Sequence, residues 1–238
     1  MLRSKYLGIV PLRKGSARIK NKNIKSFLGL PIIAYSIISG KKSKLFKKIH
    51  VSTDSKKIKK ISEKYGAKCE FLRPRLLSGP NVPIFTVLKS VVRELKKKDQ
   101  SFDEVWCLLP CSPLINFNDL KKISIGIKKK TFFKPLMTVA KYPAPIEWAF
   151  KIKKRFKLDP INGKKFLYPS QKFKEVFFDT GTLYVFNVLD LLRTKTKNIY
   201  KSFYGYKLAP DKAIDIDNID DWNLALKLKK LDNIKLKK

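Results

Sequence analysis

The sequence predicts an α/β fold in which a doubly wound, mainly parallel sheet carries helices on both faces. Short apolar runs alternate with amphipathic stretches along most of the 238 residues, which is typical of parallel strands joined by helices. One run, residues 102–109, is almost continuously apolar, as a strand buried on both faces should be. No linker divides the chain, so we expect one domain over residues 1–238, a length that can bury a sizeable core.

Local patterns predict the individual elements in chain order. Pro31 suits the first position of a helix, and Gly66 closes a stretch whose apolar residues recur at helical spacing. The predicted strands are residues 5–12, 48–53, 67–71, 102–109, 135–140 and 181–186, and the predicted helices are residues 31–40, 55–65, 82–98, 118–130 and 220 to about 231.

The alternation stops between about residues 142 and 179. Four prolines and the turn signal Asn162-Gly163 predict an inserted arm of hairpins in this stretch. Its aromatic residues, among them Trp148 and Phe166, are expected to pack within the arm or at an interface. An exposed apolar element of this kind needs a surface to cover it.

The formal charge of +35 has two explanations. A basic nucleic-acid-binding protein would have it, and so would a protein from a lysine-biased genome. The lysines are spread along the whole chain and no nucleic-acid module is recognisable, which favours the second explanation. A basic surface would in either case attract anionic substrates.

Cysteine and histidine content exclude several kinds of site. Cys69, Cys107 and Cys111 are odd in number and lack CxxC spacing, which argues against a disulfide framework or a zinc ribbon. His50, the single histidine, excludes a multi-histidine metal site and is expected to be structural. No stretch reaches the roughly 20 apolar residues of a membrane helix. We therefore expect a cytoplasmic protein without a membrane segment.

A basic loop follows the first predicted strand. Residues 13–23 contain Gly15 and Ser16 together with Arg13 and Lys22. Glycine lets the backbone approach a group of oxygens, and arginine and lysine bind phosphate. The loop is neither a Walker A loop nor GxGxxG, so a solvated basic loop remains the alternative on composition alone.

A pair of carboxylates, Asp215 and Asp217, precedes the last predicted helix. In extended chain, residues two apart point the same way, so these carboxylates would converge. Two carboxylates supplemented by water and phosphate are a usual way to hold magnesium. The alternative is an acidic helix N-terminus, which we accept for Asp220 and Asp221.

Together these features resemble the acylneuraminate-type cytidylyltransferase family. Its opening signature is approximately I-P-A-R-x-G-S-K-R-I-x-x-K-N, and this chain reads Val10-Pro-Leu-Arg-Lys-Gly-Ser-Ala-Arg-Ile-Lys-Asn-Lys-Asn23. Further matches occur in order over nearly the whole chain: Val51-Ser-Thr-Asp54, Phe71-Leu-Arg-Pro74, Leu77-Ser78, Ser112-Pro113-Leu114, Gly181-x-x-Tyr184 and Asp215-Ile-Asp217. Within the family, the chain looks most like the pseudaminic acid branch.

The resemblance implies the site. It implies a Rossmann-like nucleotidyltransferase fold, a CTP site and Mg²⁺ (or Mn²⁺) held by Asp215 and Asp217. Arg13 and Lys22 would act on the triphosphate as catalytic residues. The implied CTP contacts are Arg13, Ser16, Lys22, Asn23, Arg73 and Ser78, and the implied sugar contacts are Tyr142, Gln171 and Asp179.

The resemblance also implies the reaction and the assembly. A nonulosonic acid, pseudaminic acid in the first instance, would react with CTP to give the CMP-sugar and pyrophosphate. The alternatives are the N-acetylneuraminate, legionaminate and Kdo enzymes. Leu109-Pro-Cys-Ser-Pro-Leu-Ile115 lacks the glutamine and the arginine that sialic acid members usually have here, which favours the pseudaminic branch. The arm implies a homodimer, and neither a membrane nor a specific nucleic acid is expected as a partner.

Overall fold

The computed structural model describes residues 5–15 and 18–235, with ten strands and six α-helices. The strands are β1 (Tyr6–Pro11), β2 (Ser26–Phe27), β3 (Leu30–Pro31), β4 (Phe46–Ser52), β5 (Glu104–Leu108), β6 (Leu136–Lys141), β7 (Phe150–Ile152), β8 (Leu158–Pro160), β9 (Phe177–Asn187) and β10 (Tyr204–Lys207). The helices are α1 (Ile32–Ser43), α2 (Lys56–Lys64), α3 (Ile84–Lys96), α4 (Phe117–Lys128), α5 (Val188–Arg193) and α6 (Ile219–Lys235).

Six of the strands form a central mixed sheet in the order β10-β6-β9-β5-β1-β4. Strand β1 pairs in parallel with both β4 and β5, and β10 pairs in parallel with β6. Only β9 is antiparallel to its two neighbours. The predicted α/β class and the mainly parallel sheet are therefore confirmed.

Helices cover both faces of this sheet because side chains alternate along each strand. On β1, Tyr6 and Val10 pack in the same apolar cluster as residues of α1, α2 and α4. Leu7 and Ile9 pack instead in a cluster with residues of α3 and α5. Burial of apolar side chains on both faces is the main stabilising contribution that a doubly wound sheet can make.

A third apolar cluster attaches α6 to the β2–β3 hairpin. Trp222 of α6 packs edge-on against Phe27, with ring centroids 5.3 Å apart, and Ile216 is fully buried in the same cluster. This packing holds the chain before α6 next to the loop that follows β1.

The prediction of a strand over residues 67–71 is wrong. The segment follows β4 through one parallel bridge, between His50 and Lys68, with Lys68 bonded to the backbone of Ile49 and Val51. Beyond it, the Glu70 side chain forms an ion pair with Lys48. At this edge of the sheet, one backbone bridge and a side-chain ion pair hold the segment against β4, and a longer backbone ladder does not form.

Other elements differ in extent. The strand predicted over residues 181–186 is the longer β9, which begins at Phe177, so residues 177–179 belong to the sheet and not to the arm. Strand β10, helix α5 and the β2–β3 hairpin were not predicted, because each is too short to show a period.

The arm projects from the sheet between β6 and β9. It contains the short β7–β8 hairpin and several single 3₁₀ turns. Apolar side chains are exposed along it, including Ile152 at 70% and Phe156 at 87%. Among the described residues, no helix is long and apolar enough to cross a membrane.

Candidate active site

A cleft of about 450 Å³ opens at the carboxyl ends of β1 and β5. The chain runs from β1 to β4 on one side and returns through β5 on the other side of β1. Ligands bind at such switch points because the loops after the two strands diverge there. The residues that line the cleft include Arg13, Gly15, Arg18, Lys22, Asn23, Cys111, Gly181, Tyr184, Asp215 and Asp217.

The loop after β1 is fixed at both ends by hydrogen bonds. The Lys14 backbone N–H donates to Asp54 Oδ1 at 2.8 Å. The buried Asn23 amide donates to the Arg13 carbonyl oxygen at 3.1 Å. These bonds hold Arg13 and Lys22 at the cleft.

The acidic side of the cleft is the extended segment before α6. Ile216 is buried in the third apolar cluster between Asp215 and Asp217, both of which line the cleft. The helix cap is made by other residues: Asn218 Oδ1 accepts the Asp221 N–H at 2.9 Å, and Asp221 Oδ2 accepts the Asn218 N–H at 3.0 Å. This capping box leaves the carboxylates of Asp215 and Asp217 to the cleft.

The two carboxylates of the cleft have different surroundings. Asp217 Oδ1 is 2.8 Å from Arg18 Nη2 and 3.4 Å from Lys22 Nζ. Lys22 also donates to the Ile216 carbonyl oxygen. Partial desolvation of the carboxyl group in the cleft, together with repulsion by Asp217, raises the pKa of Asp215 to about 6, although the residue as a whole is exposed. A cation between the two carboxylates would relieve that repulsion.

Gly181 forms the wall opposite Asp215. It has φ +58°, and a Cβ placed on it would lie 2.7 Å from Asp215 Oδ2. The β6–β9 register shifts beside it, between Met137 and Val139. Any side chain at position 181 would therefore displace the carboxylate, so close approach requires glycine here.

Buried hydroxyl groups stabilise this irregular stretch of β9. The Oγ1 atoms of Thr138 and Thr182 are 2.6 Å apart, and Thr180 Oγ1 donates to Thr138 Oγ1 at 2.9 Å. Asp179 Oδ1 accepts the Gly181 N–H at 2.9 Å, and Asp179 Oδ2 accepts the Tyr184 hydroxyl at 2.5 Å. These bonds fix the position of Gly181 against the acidic segment.

The donor set fits a divalent cation. Oxygen ligands from two carboxylates, completed by water and phosphate, suit Mg²⁺ or Mn²⁺. In the part of the chain that the structure describes, no cluster of three or more His, Cys, Asp or Glu side chains could hold a metal. A metal at Asp215 and Asp217 would therefore need ligands from a bound substrate or from water.

The remaining cysteine and tyrosine of the cleft are poor acids. Burial raises the pKa of the Cys111 thiol to about 12. Burial and the Asp179 carboxylate raise the pKa of Tyr184 above its usual value. Cys69 and Cys107 are buried free thiols outside the cleft lining. None of these groups is suited to accept a proton at neutral pH.

The structure brings five of the predicted site residues together. Arg13, Lys22, Asn23, Asp215 and Asp217 line one cleft, although they are up to about 200 residues apart in the sequence. Ser16 lies outside the described residues.

Arg73 and Ser78 do not line the cleft. The Arg73 guanidinium donates to Ser52 Oγ at 3.1 Å and to the Leu12 carbonyl oxygen at 3.2 Å, at the ends of β4 and β1. Ser78 Oγ donates to the Pro74 carbonyl oxygen at 3.1 Å. In this structure Arg73 joins the end of β4 to the end of β1, where the basic loop starts.

The three predicted sugar residues are not in the cleft lining: Tyr142 and Gln171 lie in the arm, and Asp179 lies in β9. Tyr142 and Gln171 are exposed, and the Tyr142 ring packs against the Phe178 ring with centroids 5.1 Å apart. Asp179 is exposed too, and its carboxylate binds Gly181 and Tyr184 as described above.

Arg18 and Gly181 line the cleft and take part in its contacts with the carboxylates, but the sequence did not single them out. Arg18 stands in the basic loop, but composition cannot tell it from its lysine neighbours. Gly181 was quoted as a motif position, yet its contact with Asp215 depends on a bulge that only the folded sheet shows. A glycine followed by a buried apolar strand was the one available signal.

Comparison with known proteins agrees with this geometry. A model of a family described as cytidylyltransferase matches residues 7–202. A pseudaminic acid cytidylyltransferase of Campylobacter jejuni is 31% identical over 96% of this chain and 98% of its own. A CMP-N,N'-diacetyllegionaminic acid synthase of Legionella pneumophila is 28% identical over 95% of this chain and 97% of its own.

Solved structures show the same fold. A CMP:2-keto-3-deoxy-manno-octonic acid synthetase complexed with CTP matches with a TM-score of 0.69 at 15% identity, over 96% of this chain and 100% of that one. The family match covers most of the sheet and the whole basic loop, and the relatives extend through the acidic segment. The chain belongs to the cytidylyltransferase family.

Proposed function

We propose that this enzyme couples CTP to a nonulosonic acid, with pseudaminic acid as the favoured substrate. The observation that carries the proposal is the meeting of basic and acidic groups in one cleft. Arg13 and Lys22 from the loop after β1 face Asp215 and Asp217 from the segment before α6. A triphosphate with a divalent cation requires this combination of charges.

The proposed reaction is a displacement at phosphorus. A hydroxyl oxygen of the sugar acid forms a bond to the α-phosphorus of CTP. The bond from that phosphorus to the oxygen bridging the β-phosphate breaks, pyrophosphate leaves, and the hydroxyl proton passes to water. The products are the CMP-sugar and pyrophosphate.

The chain's own residues would contribute position and charge. Arg13 and Lys22 would bind the triphosphate and stabilise the negative charge that develops on the leaving pyrophosphate. Asn23, and Ser16 from the same loop, would contact the nucleotide. Asp215 and Asp217 would hold Mg²⁺ or Mn²⁺, which when bound supplies charge neutralisation at the phosphates.

Arg73 and Ser78 are proposed as further nucleotide contacts. Arg73 is close enough to Arg13 for the two charges to interact, and its guanidinium sits at the base of the basic loop. Ser78 lies in the segment that follows. Both would reach the nucleotide from the β4 side of the cleft.

The proposed sugar substrate is inferred from the relatives, and its proposed contacts lie in or beside the arm. The identity to a pseudaminic acid enzyme and the absence of the sialic acid motif at residues 109–115 favour pseudaminic acid. The legionaminic acid relative makes legionaminic acid the second candidate. Tyr142 and Gln171 of the arm and Asp179 of β9 would contact the sugar. Asp179 adjoins the cleft, because its carboxylate accepts a hydrogen bond from the cleft residue Tyr184.

A pyrophosphate-release assay tests the proposal. The protein is mixed with CTP, Mg²⁺ and pseudaminic, legionaminic, N-acetylneuraminic or Kdo acid in parallel. We expect release with pseudaminic acid to be fastest. Release with none of the four acids would contradict the proposed function, and a faster rate with another acid would reassign the substrate.

Nucleic-acid binding is the alternative that the charge of +35 raises. An enzyme gains melting temperature with CTP and Mg²⁺, whereas a nucleic-acid-binding protein shows affinity that falls steeply with salt. Thermal unfolding with and without CTP separates the two. We expect stabilisation by CTP and Mg²⁺, in a protein that works in the cytoplasm.

We further propose that the arm joins two copies of the chain into a homodimer. Its exposed apolar side chains, Ile152 and Phe156 among them, leave a surface that a second subunit would cover. Ile152→Lys should produce monomers in light scattering at micromolar concentration. Ile125→Lys, at an equally apolar exposed position on α4, should leave the dimer intact. A monomeric wild-type protein would contradict the proposal.

A further inference from the structure

The Asp217 carboxylate is shared between the basic loop and the proposed metal site. Arg18 Nη2 and Lys22 Nζ both approach the same atom, Oδ1. A carboxylate oxygen that accepts a guanidinium bond has fewer lone pairs for a cation. A metal bound through Asp217 Oδ1 would therefore compete with Arg18 and Lys22.

We propose that Arg18 is the internal counter-cation of Asp217 and exchanges partners when substrate binds: Asp217 passes to the metal and Arg18 to the triphosphate. This inference rests on the proposed function. Arg18 lines the cleft, as Arg13 and Lys22 do, so a phosphate in the cleft is within reach of the side chain. Its side chain is 67% exposed, so the guanidinium is not held in place by packing.

The energetics of the pair suit an exchange. An exposed ion pair contributes little to stability, so the pair with Asp217 can be broken without unfolding the segment. The Asp217 backbone stays anchored, because its N–H donates to Asp221 Oδ2 at 2.9 Å and Ile216 is buried. Only the two side chains need to change partners.

The exchange has a thermodynamic consequence. Metal frees Arg18 for phosphate, and phosphate draws Arg18 away from Asp217. Each ligand should therefore strengthen the binding of the other by the same factor. In the absence of metal, the ion pair with Asp217 should restrain Arg18 and so reduce its contribution to triphosphate binding.

The first test measures Mn²⁺ binding without nucleotide, from the free-Mn²⁺ electron paramagnetic resonance signal. Arg18→Gln should tighten Mn²⁺ binding by about three- to tenfold, because a competitor of the metal is removed. Lys20→Gln is the matched control: it makes the same charge change in the same loop, and Lys20 is exposed and outside the cleft lining. Equal effects of the two variants, or no Mn²⁺ binding by any of them, would overturn the exchange.

The second test measures CTP binding by calorimetry in EDTA, with a double-mutant cycle of Arg18→Gln and Asp217→Asn. Arg18→Gln should weaken CTP binding by about twofold in the wild-type background, where Arg18 is restrained. It should weaken binding by about tenfold in the Asp217→Asn background, where Arg18 is free. Equal factors in both backgrounds would overturn the exchange.

The two tests separate this inference from the proposed function. If no variant binds CTP, the proposed function fails while the Mn²⁺ comparison still decides whether Arg18 competes at Asp217. If CTP binds with equal factors in the cycle, the function stands and the exchange fails.

Discussion

The cleft and the arm are built in opposite ways. Several groups of the cleft are fixed by the fold: Asn23 is buried and bonded to Arg13, the fully buried Ile216 anchors the segment that carries Asp215 and Asp217, and Gly181 is held by a hydrogen bond from its backbone N–H to Asp179. The arm consists of one short hairpin and single turns, with its apolar side chains open to water. Under the proposed function, one chain would suffice to form the nucleotide side of the site, whereas the sugar side would depend on an element whose apolar side chains call for a second surface.

The largest expected effect is a loss of turnover that distinguishes a metal ligand from a helix-capping residue in the acidic segment. Asp217→Asn should lower turnover by orders of magnitude, about 10²-fold or more, because it weakens the hold on a cation at the triphosphate. The fold should persist, since Ile216 and the cap remain. Steady-state pyrophosphate release at saturating Mg²⁺ measures the loss.

Asp220→Asn is the control for that substitution. Asp220 lies three residues along the chain, is exposed, and contributes only its backbone N–H to the cap. It should retain nearly full activity. Equal activity of the two variants would remove Asp217 from the metal site and leave Arg13 and Lys22 as the main charge stabilisers.

The second effect compares two glycines with the same backbone angle, one in the cleft and one in the arm. Gly181 and Gly163 both have φ +58°, but a Cβ would meet Asp215 at Gly181 and nothing within 4 Å at Gly163. Alanine at either position should cost roughly 1–2 kcal/mol of stability through backbone strain. Only Gly181→Ala should also lower turnover, by about tenfold, and weaken Mn²⁺ binding. Equal turnover would show that the approach to Asp215 does not matter.

A smaller effect is expected in the arm. Gln171→Ala should raise the KM for the sugar acid by several-fold and leave the KM for CTP unchanged, because Gln171 lies outside the nucleotide cleft. Lys172→Ala, at the neighbouring exposed position, is its control. A change in the KM for CTP would break the division into a nucleotide side and a sugar side.

The smallest effect on catalysis should come from His50, which is buried in β4 away from the cleft. Burial, opposed in part by Glu70, lowers the pKa of His50 to about 4. The unfolded chain binds a proton near pH 6.5. The neutral ring therefore contributes stability that is present above pH 6.5 and is lost as the pH falls towards 4.

Urea unfolding at two pH values measures this contribution. Between pH 7.5 and pH 5 the wild-type protein should lose about 2 kcal/mol through His50. His50→Phe should remove that loss and leave turnover at pH 7.5 unchanged. The same pH dependence in both proteins would show that His50 is not the titrating group.

The sequence was a better guide to the sheet than to its edges. Strands β1, β4, β5 and β6 were predicted because apolar residues concentrate where a strand is buried. The strand prediction for residues 67–71 failed because the segment lies at the edge of the sheet, where a single bridge to His50 forms and no ladder of backbone bonds. Strand β10 and helix α5 depend on tertiary packing, which local periodicity does not contain.

The same division applies to the site. The basic loop and the carboxylate pair could be named from residue types and spacing, and the resemblance supplied their roles. The pairing of Arg18 with Asp217 and the contact of Gly181 with Asp215 join residues far apart in the chain. Neither contact has a local signal, so both required the folded sheet.

The distance between the two sides of the cleft along the chain has a consequence for folding. Lys22 and Asp217 are 195 residues apart in the sequence and meet across the cleft. Contacts of such high sequence separation form late and slowly. During synthesis the basic loop leaves the ribosome long before its acidic partners exist, so the complete cleft forms only when almost the whole chain has emerged. Ligand binding in the cleft is therefore a reporter of global folding.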